Sequence, residues 1–410
     1  MSGGLSPLWS VNAPTLRADA SEWMSFHFFI EAERCPRAAM LKSSSYPTLW
    51  EGRGYPKRLN AAALTGLVVH AATEVIVKAF INAGVTSMGD PKTMDCLRDL
   101  GGYLAVLSRT LEVVVASESG NPRFQRTKAA VTKTLKMQLP RMRESVQQVL
   151  VSRAWKLSGS SDRGNSIPGT NVSRARYPLP EGSHFEVDLF DRSMMWRGRA
   201  DLVTITPRGC GVVDWKTGNQ AEEHHRQMQV YALLWDGDRE LNPSRLPIES
   251  LTLSYGGLCV QVEVPRGDQL IASRCLLSAK TTDIRTEFKM EPVPARPSDD
   301  NCRFCQVKLL CDDFWAWSDP GVRERDGFND LELTLIRLES ESSWIAGSNL
   351  TSFAGKRVLL KKSQCDEGLW MALRPGLKLR MSDAMVTFRE VSEDPLVSFT
   401  TFTEALLVDS

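Results

Sequence analysis

Asp201, Asp214 and Lys216 are the residues of this chain whose types and spacing can do chemistry on a phosphodiester. Asp201 lies in Trp196-Arg197-Gly198-Arg199-Ala200-Asp201-Leu202-Val203, and the other two lie in Gly211-Val212-Val213-Asp214-Trp215-Lys216-Thr217-Gly218. Both runs are β-rich, and Pro207-Arg208-Gly209 between them reads as the turn of a hairpin. Two carboxylates on neighbouring strands offer hard oxygen ligands to a Mg²⁺ or Mn²⁺ that keeps several of its waters. Lys216, two residues past Asp214, projects from the same strand face. It can orient an attacking water or neutralise charge building on phosphate. An Asp-x-Lys at a strand edge is by itself most often a solvated face, so the elements around it decide.

Those elements have to bring more polar groups to the same place. Residues 227–234 carry apolar positions at helical spacing, which sets Gln227 and Tyr231 one turn apart on one face. Residues 67–74 read as an earlier helix with His70 and Glu74 one turn apart. Strands are expected at 185–190, 195–205 and 211–216, then at 251–255 and 260–264, followed by a helix at 268–285.

In that order, His70, Gly198-Arg199-Ala200-Asp201, Asp214-Trp215-Lys216 and Gln227 through Tyr231 resemble the RecB-type branch of the PD-(D/E)xK nuclease superfamily. That branch carries a helical histidine, a Gly-x-x-Asp, an Asp/Glu-x-Lys and a Gln-x-x-x-Tyr. The resemblance implies an α/β fold, a restriction-endonuclease-like mixed sheet flanked by helices. It implies His70, Asp201 and Asp214 as metal ligands with the backbone carbonyl of Trp215, and Lys216 as the catalytic lysine. Gln227 and Tyr231 would support the site or hold DNA, and Glu186 would be loosely part of the same wall.

Cysteine spacing adds a second constellation. Cys302, Cys305 and Cys311 form C-x₂-C-x₅-C, and Cys35 stands far upstream in Arg34-Cys35-Pro36-Arg37. Four thiolates suit an iron–sulfur cluster or a structural zinc. One cysteine before the histidine motif and three after the Gln-x-x-x-Tyr helix is also the layout of the cluster-bearing relatives: CRISPR-associated RecB-like exonucleases, the exonuclease V family and the AddB subunit. The resemblance therefore implies a [4Fe–4S] cluster, with zinc as the alternative occupant. Cys96, Cys210, Cys259, Cys275 and Cys365 are scattered and read as core thiols. Nine cysteines in 410 residues without an apolar leader fit a reducing, cytoplasmic compartment. No run in the sequence approaches the length of a membrane span, so a soluble protein with no membrane partner is expected.

A net charge of +1 says little about partners, but its distribution says more. From Arg123 to Lys156 nine cations, Arg126, Lys133 and Lys136 among them, stand against the single acid Glu144. A field of that sign suits a phosphate backbone, so this stretch is the expected DNA path. Residues 1–20 read as a flexible lead-in and 21–320 as the nuclease region. Within that region a helix at 21–41 is interrupted near Pro36, 61–155 is mainly helical with Pro140 dividing or kinking its last part, and 157–181 has loop composition. Short strands at 357–362, 377–380 and 384–391 imply a small barrel-type β domain over 321–410, which could bind single strands, dock a partner or simply pack. No phosphate-binding G-x-x-x-x-G-K-[S/T] loop occurs, so unwinding would need a separate helicase. The expectation is a metal-dependent deoxyribonuclease, an exonuclease on single-stranded DNA, in repair, recombination, CRISPR adaptation or antiphage defence. The alternatives are a non-catalytic DNA-binding or scaffold subunit and a restriction-type endonuclease.

Overall fold

The computed structural model describes residues 9, 22–85, 87–151, 176–256, 258–317, 327–348, 357–388 and 394–408. The expected lead-in lies outside these residues apart from Trp9, as do Arg153, Lys156 and most of the expected 157–181 loop.

The first elements are β1 (Met24–Ser25), α1 (Phe26–Arg34) and α2 (Pro36–Ser43). Ser25 caps α1 through Phe28 N, and Pro36 opens α2 where its missing N–H costs nothing. Cys35 is thereby fixed at the break between two helices. Next come α3 (Ala61–Asn82), α4 (Pro91–Asp99), α5 (Gly102–Ser117) and α6 (Pro122–Val151). Asn60 caps α3 by accepting from Ala63 N at 2.9 Å. Pro140 does not divide the basic stretch in two, because α6 runs through it as one helix of 30 residues.

The strands β2 (Gly182–Asp191), β3 (Trp196–Ile205), β4 (Cys210–Trp215), β5 (Ile248–Tyr255) and β6 (Leu258–Val262) follow, with α7 (Glu222–Gly237) before β5 and α8 (Asp268–Phe288) after β6. The described strands form a mixed sheet in the order β1-β3-β4-β5-β6, with β2 on β3. Pairings β1–β3 and β4–β5 are parallel; β2–β3, β3–β4 and β5–β6 are antiparallel. This is the expected mixed α/β sheet flanked by helices. Val203, Ile205, Cys210 and Val212 share a core with α1, α2, α7 and α8. Leu202, Val213 and Trp215 belong to a second core with α3, α5 and α6.

Helix α3, at 22 residues and a hydropathy of 1.6, is long and apolar enough by composition to cross a bilayer, contrary to the expectation that no run would be. Here it is a core helix, with Leu64, Val68, Ala72, Ile76 and Phe80 inaccessible to solvent.

A second sheet holds β7 (Gly327–Ser340), β8 (Ser343–Ser348), β9 (Arg357–Lys361), β10 (Lys378–Thr387), β11 (Leu396–Ser398) and β12 (Glu404–Val408), with α9 (Glu367–Ala372) between β9 and β10. Its pairings run β7–β8–β9–β11–β10 and back to β7, so five strands close into a ring and β12 extends β10. The strands expected separately at 377–380 and 384–391 are one strand, β10, with a register shift between Met381 and Ala384 and Asp383 at φ +53°. Residues 389–391 lie outside the described ones.

Candidate metal centre

The β3–β4 ladder ends where chemistry begins. Its last pair is Leu202 with Val213, so Asp201 and Asp214 would come next to each other. Instead Asp201 Oδ2 accepts the backbone N–H of Trp215 at 2.7 Å, and Lys216 N turns to Ser254 O of β5 at 2.8 Å. The carboxylate takes the place of a ladder carbonyl, and the two strands separate around the acids.

Across from Asp201 on β2, Glu186 sits at φ +49°, a conformation that side chains rarely adopt. The ladder passes over this pair: Phe185 partners Leu202 and Val187 partners Ala200. Phe185 and Leu202 pack with the α3 core, whereas Val187 and Ala200 pack with the α7 core. Both strands therefore change faces at Glu186 and Asp201, which frees the two carboxylates to point into the cleft. His70 of α3 completes the group, with Nε2 at 3.1 Å from Asp201 Oδ1 and 3.8 Å from Glu186 Oε1.

One donor atom from each of His70, Glu186 and Asp201 lies within 4.8 Å of the other two, the sole such metal-compatible group among the described residues. Its electrostatics suit a cation. Burial disfavours the His70 imidazolium, yet the hydrogen bond and charge of Asp201, with Glu186 and Glu74, prevail and raise His70 to about 9. Burial and the Asp201 charge push Glu186 above the usual carboxylate range. Glu186 Oε1 is buried with no hydrogen-bond donor. Buried negative charge with one orphaned oxygen is a donor set that a divalent ion would satisfy, so the residues fit a metal.

Asp214 is 2 % exposed and sits outside that group of three. Its Oδ2 pairs with Lys216 Nζ at 2.6 Å, as two residues on one strand face must. Burial and Asp201 raise its carboxyl above the usual range, against the pull of Lys216. Lys216 Nζ also donates to Gln227 Oε1 at 2.8 Å, Gln227 Nε2 to Tyr231 OH at 2.8 Å, and Tyr231 OH to Arg199 O at 2.6 Å. The chain of bonds ties the lysine through α7 back to β3, two residues before Asp201. Trp215 contributes its N–H to Asp201, while its ring lies against His70 and Phe185.

Two glycines permit this closeness. A Cβ on Gly198 would come within 2.9 Å of Leu234 Cδ1 and 3.0 Å of Tyr231 Cε1, so β3 and α7 can touch there only without a side chain. A Cβ on Gly66, one turn before His70, would lie 2.7 Å from Thr217 Oγ1, so α3 approaches the strand end beside Lys216 closely. The sequence reading left Glu186 loose and named neither glycine contact. The available signals were Gly-x-x-Asp itself and a glycine four residues before His70.

Cys35, Cys302, Cys305 and Cys311 line one cavity with Ala38 and Phe314. No three of these thiols fall within 4.8 Å of one another. Burial raises Cys302 and Cys305, and Cys311 to about 11.

The basic stretch divides. Arg123 is buried, pairs with Glu404 of β12 at 2.6 Å, and donates to Pro56 O and Gln306 O. Arg126 donates to Thr403 O at 3.0 Å. The Arg123 guanidinium is buried against the barrel, which the run of cations in the sequence did not reveal, whereas Arg126 reaches Thr403 and stays exposed. Lys128, Lys133 and Lys136 line a shallow groove along α6 with Thr132 and Met137. Lys308 and Asp330, at 2.7 Å, make a further buried bond between the cysteine segment and β7.

Set beside known proteins, residues 29–312 match the PD-(D/E)XK nuclease superfamily. No curated protein matches the sequence. Among solved structures, a murine DNA binding protein bound with ds DNA is 7% identical with a TM-score of 0.17, over 56% of this chain and 95% of that one. The p204 HINb domain is 12% identical with a TM-score of 0.18, over 57% and 99%. Those TM-scores are too low to bear on fold or ligand.

Proposed function

The chain belongs to the PD-(D/E)XK nuclease superfamily, and on that footing we propose that it is a Mg²⁺- or Mn²⁺-dependent deoxyribonuclease, an exonuclease acting on single-stranded DNA. The observation that carries the reading is the convergence of His70, Glu186, Asp201 and the Asp214–Lys216 pair at the point where β3 and β4 separate. His70, Glu186 and Asp201, with Asp214 beside them, would hold the ion, which when bound makes a water more acidic and offsets charge on phosphate. The chain's own groups do the rest. Asp201 fixes the start of the Asp-Trp-Lys segment through Trp215 N–H. Gln227 holds the Lys216 ammonium beside the carboxylates, and Tyr231 holds Gln227, so a positive charge stands ready for the phosphate without reorganising.

The RecB-like order of motifs supports an end-dependent, single-strand reading, and the lysines on α6 supply a field for the strand. Four thiols around one cavity support a [4Fe–4S] cluster. Such a cluster belongs in a reducing, intracellular compartment. The barrel is bound to the cysteine segment and α6 by the Lys308–Asp330 and Arg123–Glu404 pairs, which gives it a packing role.

The experiment is digestion of free-ended and end-blocked single and double strands with Mn²⁺ or Mg²⁺. Loss of free-ended single strands into short products is expected. Discrete internal fragments from blocked substrates would make it an endonuclease, and no cleavage with intact binding would make it a scaffold.

A further inference from the structure

Lys216 has neighbours that neither the metal group nor the Gln227–Tyr231 chain requires. Strands β4 and β5 are parallel with Trp215 partnered to Ser254, so Tyr255 follows alongside Lys216. His224 stands in the first turn of α7, three residues before Gln227. His224 Nδ1 and Tyr255 OH are 2.8 Å apart, and their rings lie 5.7 Å centre to centre at 39°. Both residues are half-buried, with part of each ring open to solvent.

The contact with Tyr255 suits a neutral imidazole. In one neutral tautomer the Tyr255 hydroxyl donates to His224 Nδ1. Nδ1 is then the acceptor, and the ring proton sits on Nε2. Burial and the charge of Lys216 lower His224, favouring this neutral form. Beyond Tyr255 the chain turns at Gly256, φ +62°, where a Cβ would be 3.0 Å from Gln148 Oε1 of α6. Gln148 lies twelve positions past Lys136, so the hairpin that carries Tyr255 meets the C-terminal part of α6.

We propose that His224 and Tyr255 hold the nucleotide next to the scissile one: His224 Nε2–H donates to the adjacent phosphate, and Tyr255 is the positioning residue that fixes its tautomer. This rests on the nuclease reading. A strand whose scissile phosphate lies by Lys216 has this pair alongside it. A neutral N–H donor there binds phosphate without competing with Lys216 for the reacting charge.

The test is steady-state hydrolysis of a fluorescent single-stranded oligonucleotide in Mn²⁺, with anisotropy binding in Ca²⁺, for wild type, His224→Ala, His224→Gln and Tyr255→Phe. One hydrogen bond to a charged group predicts about a tenfold rise in KM and Kd for His224→Ala, with kcat within about twofold. His224→Gln, which keeps an N–H donor, should recover most of the binding, and Tyr255→Phe should fall between. Unchanged KM and Kd in His224→Ala, a fall in kcat alone, or no recovery by Gln would overturn the proposal. Should His224→Ala fail to fold, Tyr255→Phe, which loses only a hydroxyl, carries the same comparison. An inactive wild type would instead count against the nuclease reading, which keeps the two failures apart.

Discussion

Replacing Gly198 by alanine adds one methyl group and removes no metal ligand, yet it should disable the site. That methyl would stand 2.9 Å from Leu234 Cδ1 and 3.0 Å from Tyr231 Cε1, where carbon pairs prefer ~3.5–4.0 Å. Both neighbours are buried, so α7 has to give by roughly 0.5–1 Å. Overpacking of this kind costs ~1–3 kcal/mol. Tyr231 OH meets Arg199 O at 2.6 Å, and through Gln227 it fixes Lys216. A displacement of ~1 Å at a positioned group can cost about a hundredfold in rate, so kcat should fall between about tenfold and a hundredfold. Thermal melting and metal-dependent hydrolysis of a single-stranded substrate measure both effects. Gly347→Ala, where no atom lies within 4 Å, is the control and should change neither. Wild-type melting and turnover in Gly198→Ala would refute the claim that this contact sets the lysine.

His70 titrates near 9 in the metal-free fold against an ordinary value of 6.5, so its stabilisation is complete below about pH 6.5 and is lost as pH rises through about 9. The loss is at most ~3 kcal/mol at ~1.36 kcal/mol per unit; melting of metal-free protein should show it, and His70→Ala should flatten the profile. Replacing Lys128, Lys133 and Lys136 by Gln should weaken DNA binding and reduce the slope of log affinity against log salt by about 2 for single strands. Protein purified without oxygen should be brown with about four irons per chain, and Cys305→Ala should lose the colour; zinc without iron would refute the cluster.

Local spacing made much of this molecule legible. The strands carrying Asp201 and Asp214, the break of α1 from α2 at Cys35, and the shared face of Asp214 and Lys216 all follow from period-2 alternation, a proline and a turn. Glu186 was hard to place because its left-handed backbone shifts two strands to the other face, and alternation carries no sign of that. The partner of Arg123 comes from residue 404, so one cation of a run that looked open is covered by the fold. The ring of β7 to β11 depends on a parallel pairing of β9 with β11, which crosses α9 and β10 and leaves no local mark.

The measurement that bears most directly on the site is hydrolysis of free-ended single-stranded DNA in Mn²⁺ by wild type, Asp214→Ala and Lys216→Ala, with melting recorded for each. The prediction is metal-dependent cleavage by wild type and none by either variant, both still folded. Asp214→Ala should hold DNA at least as tightly, since it removes a carboxylate facing phosphate. Cleavage by either folded variant at the wild-type rate would contradict the assignment of the site.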